Sequence, residues 1–105
     1  MNPYLVLKPL AEVYGTTIGN TITSLPSIPA NAQKALVQVE TAQIRARFDG
    51  TLSVTNGVGG GFLMDTNVDY SVEGWDNLYR MRMVASATTT AGKINVIYFG
   101  EGQPS

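Results

Sequence analysis

The chain has 105 residues, 44% of them hydrophobic, which is enough to bury one continuous core and sets the expectation of a single domain. Cysteine and histidine are both absent, so disulfides, thiolate metal sites, thiol nucleophiles and the commonest general base are excluded. The formal net charge is -1 and 14% of residues are charged; with about 25% charged in an average soluble domain, little attraction for nucleic acid or acidic lipid is expected.

Residues 1–9 read Met-Asn-Pro-Tyr-Leu-Val-Leu-Lys-Pro. They lack the basic region and small-residue cleavage site of a secretory signal, and the stretch is too short to span a membrane. The apolar run Tyr4, Leu5, Val6 and Leu7 between two prolines reads as an edge strand, or as an arm that packs on another subunit, set apart from a domain over 10–105. Period-two alternation then recurs along the chain, and no window carries the spacing of an amphipathic helix, so the fold class is all-β. Two strands are expected over 10–14 and 17–25, broken by Gly15 and Gly19-Asn20, and Pro26 and Pro29 fix a stretched connection after them.

A hairpin is expected over 35–48, with a tight turn at Ala42-Gln43 or, since neither residue favours positive φ, a longer loop that displaces the register by a residue or two. The tight turn sets Glu40 opposite Arg45 and Val39 opposite Ala46, so charge meets charge and apolar meets apolar. Asp49-Gly50 is a turn signal, residues 51–55 a short strand, and 57–61 a glycine-rich loop or a set of positive-φ kinks. Residues 62–65 resume as a strand, and 68–73 is the clearest one, with Val68, Tyr70 and Val72 on one face. Trp75-Asp76-Asn77-Leu78 reads as a turn or a single 3₁₀ turn at a sheet corner, in which Trp75 and Leu78 plug the end of the core. Alternation returns over 79–85 and again over 93–99. The last strand is apolar on both faces and is therefore placed centrally in its sheet. Seven to nine short strands with evenly spaced turns give an antiparallel β-sandwich of jelly-roll type.

The chemistry on offer is sparse. Lys8, Lys34 and Lys93 sit beside loops or strand ends, where a solvated role outweighs a Ser-Lys nucleophile. Asp65, Asp69, Glu73 and Asp76 read as the wet side of a sheet before they read as a glycosidase pair. The 57–61 glycines have no following Lys-Ser or Lys-Thr, which fails the phosphate-loop pattern, and 65–69 lacks the glycine and distal glutamate of a calcium loop. No catalytic residue, cofactor or metal is expected. Arg45 with Arg47 and Arg80 with Arg82 occupy alternate positions, so each pair projects from one face of a strand and the four could form a basic stripe on neighbouring strands. Pairing with Glu40, Asp69 and Glu73, or salt bridges between subunits, explains it better than a nucleic-acid surface.

The run Ile28-Pro29-Ala30-Asn31-Ala32-Gln33-Lys34-Ala35-Leu36-Val37-Gln38-Val39-Glu40, followed by Ile44-Arg45-Ala46-Arg47-Phe48-Asp49-Gly50-Thr51, resembles a pattern found in small structural proteins of tailed phages. Gly61-Phe62-Leu63-Met64-Asp65 and the closing Ile94-Asn95-Val96-Ile97-Tyr98-Phe99 keep its order and spacing, and the likeness spans roughly residues 21–99. Ala46 stands where such proteins often carry Trp, and the glycine loop is enlarged. The resemblance implies a compact β-sandwich in the virion, assembled in the host cytoplasm: a capsid decoration or cement protein on the major capsid protein, or a small tail or fibre component, as a homo-oligomer and often a trimer. Tyr4, Leu5, Val6 and Leu7, with Arg45, Arg47, Arg80 and Arg82, are the interface candidates. The alternative is a carbohydrate-binding module that uses Trp75 or Tyr79 as a stacking platform, which requires Trp75 to be exposed.

Overall fold

The computed structural model describes residues 7–50, 55–57 and 59–101. Within them the elements run β1 (Leu7–Ile18), β2 (Thr23–Ser24), β3 (Ala32–Glu40), β4 (Ile44–Arg47), β5 (Phe62–Met64), β6 (Asp69–Glu73), α1 (Trp75–Arg80), β7 (Arg82–Ala85) and β8 (Gly92–Glu101). The strands form two four-stranded sheets, ordered β1-β8-β3-β6 and β2-β7-β4-β5, with every pairing antiparallel. The protein is all-β. First pairs with last (β1 with β8), second with seventh, third with sixth and fourth with fifth, so the chain is one long antiparallel hairpin folded back on itself.

The alternation read from the sequence places the core. Ala35, Val37 and Val39 of β3 and Ile94, Val96 and Tyr98 of β8 are fully buried on one side of the first sheet. From the second sheet Ile44, Ala46, Met64 and Met83 join the same apolar cluster. Each buried Val, Ile or Met side chain among them contributes about 1.5–3 kcal/mol by leaving water, and the alanines less. As expected from its two apolar faces, β8 is central, flanked by β1 and β3.

Several expectations are corrected. Residues 10–14 and 17–25 are not two equal strands, because β1 runs unbroken through Gly15 and β2 has only two residues. Gly15 at φ 74° takes up an extra residue between the Val13–Val96 and Thr16–Ile94 pairs, and its N–H donates to Asn95 Oδ1 at 2.9 Å, so the glycine makes a bulge rather than a break. Leu7, Lys8 and Pro9 are the first residues of β1, opposite Glu101, Gly100 and Phe99, whereas Tyr4, Leu5 and Val6 lie outside the described residues.

The expected 35–48 hairpin does not form. β3 and β4 are both strands, but they belong to different sheets, and β3 pairs with β6 and β8 while β4 pairs with β5 and β7. Thr41 at φ 78° turns the chain sharply, the Ala42 N–H reaching back to the Glu40 carbonyl at 2.9 Å, and carries it across the core from one sheet to the other. Val39 and Ala46 are thus both buried in the core cluster without being ladder partners. The expected strand at 51–55 falls mostly outside the described residues, with only Thr55 described and that outside any strand. Residues 75–80 form a short helix instead of a turn followed by a strand. In that helix Leu78 is buried as expected, but Trp75 and Tyr79 are exposed.

Tyr98 ties the fold together. Its ring is wholly buried and its hydroxyl donates to the Pro26 carbonyl, anchoring the 25–31 connection to the middle of β8. Burial, with a smaller contribution from Tyr79, pushes the phenol well above its ordinary range, so it stays protonated in the folded chain. Because the folded pKa is raised, this stabilisation is complete below the ordinary tyrosine pKa of about 10 and is lost as pH rises beyond it. Tyr98→Phe is expected to lower stability at neutral pH by about 1 kcal/mol and to lose less than the parent chain between neutral pH and about pH 11, read from urea midpoints.

Candidate functional site

Among the described residues β5 is bonded only to β4 and β6 only to β3, and Phe62 of β5 meets Tyr70 of β6, so these two sheet edges lie together. Between these edges lies a largely apolar cleft of about 300 Å³, lined by Phe48, Phe62, Met64 and Tyr70, with Glu73 and Asn77 at its polar end. Met64 is buried in the core, but Phe62, two residues earlier on the same strand face, is 59% exposed. Its ring meets Tyr70 edge-on, with centroids 6.2 Å apart and planes at 89°. Phe48, just past the end of β4, is 36% exposed at the rim.

The turn between β5 and β6 fixes this side. Asp65 Oδ1 accepts from its neighbour Thr66 N–H at 3.0 Å and from Gln43 Nε2 at 2.9 Å, and the Asp65 N–H donates to the Tyr70 hydroxyl at 2.7 Å. Asn67, at φ 62°, donates its N–H to the Val39 carbonyl at 3.2 Å. The 65–69 run is therefore committed to a turn, and it locks Tyr70 over the cleft.

The four arginines are not one stripe. Arg47 on β4 lies opposite Arg82 on β7, and Arg45 alternates with Arg47, so these three share the outer face of the second sheet. Arg80 is the last residue of α1. Nor do Glu40, Asp69 and Glu73 pair with them, because those carboxylates sit on the other sheet. Arg47 Nη2 instead meets Asp49 Oδ2 at 2.7 Å, a largely solvated pair worth little. Arg82 Nη1 donates to the Tyr79 and Met81 carbonyls at 2.7 and 3.0 Å, which caps the end of α1.

Arg45 has a clear structural role. Its Nε donates to Ser86 Oγ at 3.1 Å and its Nη1 to the Gly61 carbonyl at 3.4 Å. The loop that ends at Gly61 is also pinned by Gly57 N–H to Ser86 O at 2.9 Å and by Asn56 Nδ2 to Ala85 O at 2.5 Å. Val84 lies opposite Arg45 on this outer face and is nonetheless buried. Arg45→Ala is expected to cost about 1–2 kcal/mol by stranding these acceptors, with faster amide hydrogen exchange at Gly57 and Gly60 as the readout.

The remaining candidates, Trp75 and Tyr79, stack on each other at one end of the molecule. Their centroids are 4.3 Å apart with planes tilted 36°, and the Trp75 Nε1 donates to the Ala30 carbonyl at 3.2 Å. Trp75 is 49% exposed and Tyr79 39%. The cleft aromatics Phe48 and Phe62 were missed as site residues. The available signal was their position beside the Asp49-Gly50 turn and the glycine loop, where strands end and inward-facing side chains run out of cover. No family model matches the chain, and neither a curated protein nor a solved structure matches it.

Proposed function

We propose that the chain is a non-enzymatic structural protein of a tailed-phage particle, a capsid decoration or cement protein that binds the outer head surface as a homo-oligomer. The observation that carries this reading is the aromatic cleft between β5 and β6, left uncovered by the described residues, because exposed apolar surface of this kind marks places where another protein docks. Two further features support it. The strand order, with the first strand paired to the last and the second to the seventh, supports reading the two sheets as a jelly-roll sandwich, an architecture used by viral capsid and lectin domains. The order and spacing of the 28–51, 61–65 and 94–99 segments resemble the phage structural proteins. The low charge density leaves apolar contact as the main source of affinity, and many weak copies on a lattice would bind tightly through multivalency.

The test is to mix the full chain with purified phage heads and sediment them, after light scattering has fixed its oligomeric state. Saturable co-sedimentation near one oligomer per lattice site supports decoration, and a chain that stays in the supernatant with every particle form overturns it.

A second reading is favoured by one observation. Trp75 is exposed with its indole N–H held by Ala30, as a carbohydrate-stacking platform requires. Under that reading a glycan array returns hits that Trp75→Ala removes. An array without hits eliminates it.

A further inference from the structure

The cleft leaves Phe62 and Phe48 in water beside Tyr70, and its polar end is formed by Glu73 and Asn77. The pairings across the first sheet locate the start of β1 relative to it. Leu7 lies opposite Glu101, Gly100 lies opposite Ala32, and Lys34 lies opposite Glu73, so the start of β1 and the polar end of the cleft are at the same end of the sheet. Six residues precede Leu7, and among them Tyr4, Leu5 and Val6 form an uncharged apolar run behind Pro3. Extended at about 3.4 Å per residue, six residues reach roughly 20 Å, enough to cross a subunit boundary and enter a groove.

Within one chain the route is obstructed. The cleft lies beyond β6, across the ends of β8 and β3 from β1. At the start of β3 stands α1, held there by Gly74 N–H to Gln33 O at 2.8 Å and by Trp75 Nε1 to Ala30 O. The segment would have to reverse direction and pass over the stacked Trp75 and Tyr79 rings to reach its own cleft. Continuing the course of β1 away from the sheet needs no reversal.

We infer that the Tyr4-Leu5-Val6 segment of one copy fills the Phe48–Phe62–Tyr70 cleft of a neighbouring copy, linking protomers head to tail. This deepens the homo-oligomer reading and rests on it. Each protomer gives one arm and receives one, which is the heterologous contact that closes into a ring when the rotation allows.

The absence of native cysteine makes the test direct. Full-length Leu5→Cys and Phe48→Cys variants, the second at the cleft rim, are mixed and oxidised, with Tyr4→Cys and Val6→Cys as alternative arm positions. At least one arm variant is expected to give a disulfide heterodimer several-fold in excess of either homodimer, and Phe62→Ser in the cleft-side variant is expected to reduce it several-fold. Unchanged thermal unfolding of each cysteine variant verifies that the domain is intact. No heterodimer from any arm position, or closure within a single chain when both cysteines are on one molecule, overturns the inference. Because the cross-link is read on purified protein, its failure is separable from a failure to bind phage heads.

Discussion

Leu78→Ala is expected to be among the most damaging single truncations in the protein, costing about 2–5 kcal/mol in urea unfolding, while Trp75→Ala three residues earlier costs about 1–2 kcal/mol. The difference follows from what each side chain touches. Leu78 is completely buried in the shared core, and shortening it leaves a cavity that the flanking sheets can only partly fill. Trp75 is half in water and loses a stack on Tyr79 and one hydrogen bond. Leu78 also decides whether α1 exists. A helix of six residues has no independent stability, and this one begins at Gly74 without a side-chain cap, so it is held by Leu78 and by tethers such as Asn77 Nδ2 to the Glu73 carbonyl at 2.7 Å. Trp75 is the sole tryptophan, so its fluorescence reports on α1 directly. In Leu78→Ala a red-shifted, quencher-accessible signal is expected before global unfolding, and an unchanged spectrum with an unchanged midpoint would refute the anchoring role.

Strand positions were legible because alternation is a local property. Tyr70 and Val72 turn toward the core side while Asp69, Ser71 and Glu73 face water, and the two apolar faces of β8 matched its place between two neighbours. Pairing was not legible in the same way. Val37 and Val39 alternate identically whether β4 lies beside β3 or faces it across the core, so the apparent match of Glu40 with Arg45 carried no information about which arrangement forms. The deciding feature is the conformation of Thr41, a β-branched residue at positive φ, which no residue preference foretells. The helix escaped notice for a related reason. Six residues are too few to show a 3.6-residue period, so 75–78 read as no more than a single turn, and Tyr79 and Arg80 alternate acceptably as the start of the strand expected over 79–85. The candidate site suffered most, because a cleft at the meeting of two sheet edges depends on which strands are edges, and that is a property of the whole topology.

The crossing at Thr41 yields the second large effect. Gly92 begins β8 and is buried where β8 passes the 41–43 connection, and a methyl group added there would stand 2.5 Å from the Ala42 carbonyl oxygen and 2.7 Å from Ile44 Cγ2. Its φ is not positive, so the constraint is space and not backbone conformation. The Ala42 carbonyl is backbone in a connection already fixed by its N–H bond to Glu40, and the Ile44 methyl belongs to a fully buried side chain, so neither neighbour yields cheaply. Gly92→Ala is therefore expected to destabilise by about 3 kcal/mol, at the upper end of ordinary overpacking costs, and Gly92→Val by more. Gly19→Ala is the matched control: it has open space around the added carbon, and its unfolding midpoint is expected to stay near the parent's. Glu40 pairs with Lys93 at the end of the β3–β8 ladder, and the turn at Thr41 then carries the Ala42 carbonyl and the Ile44 side chain over Gly92 instead of letting the chain run on beside β3. A tolerated Gly92→Ala would thus count against the cross-core connection itself, while a loss confined to Gly92 supports the strand order on which the cleft between β5 and β6 depends.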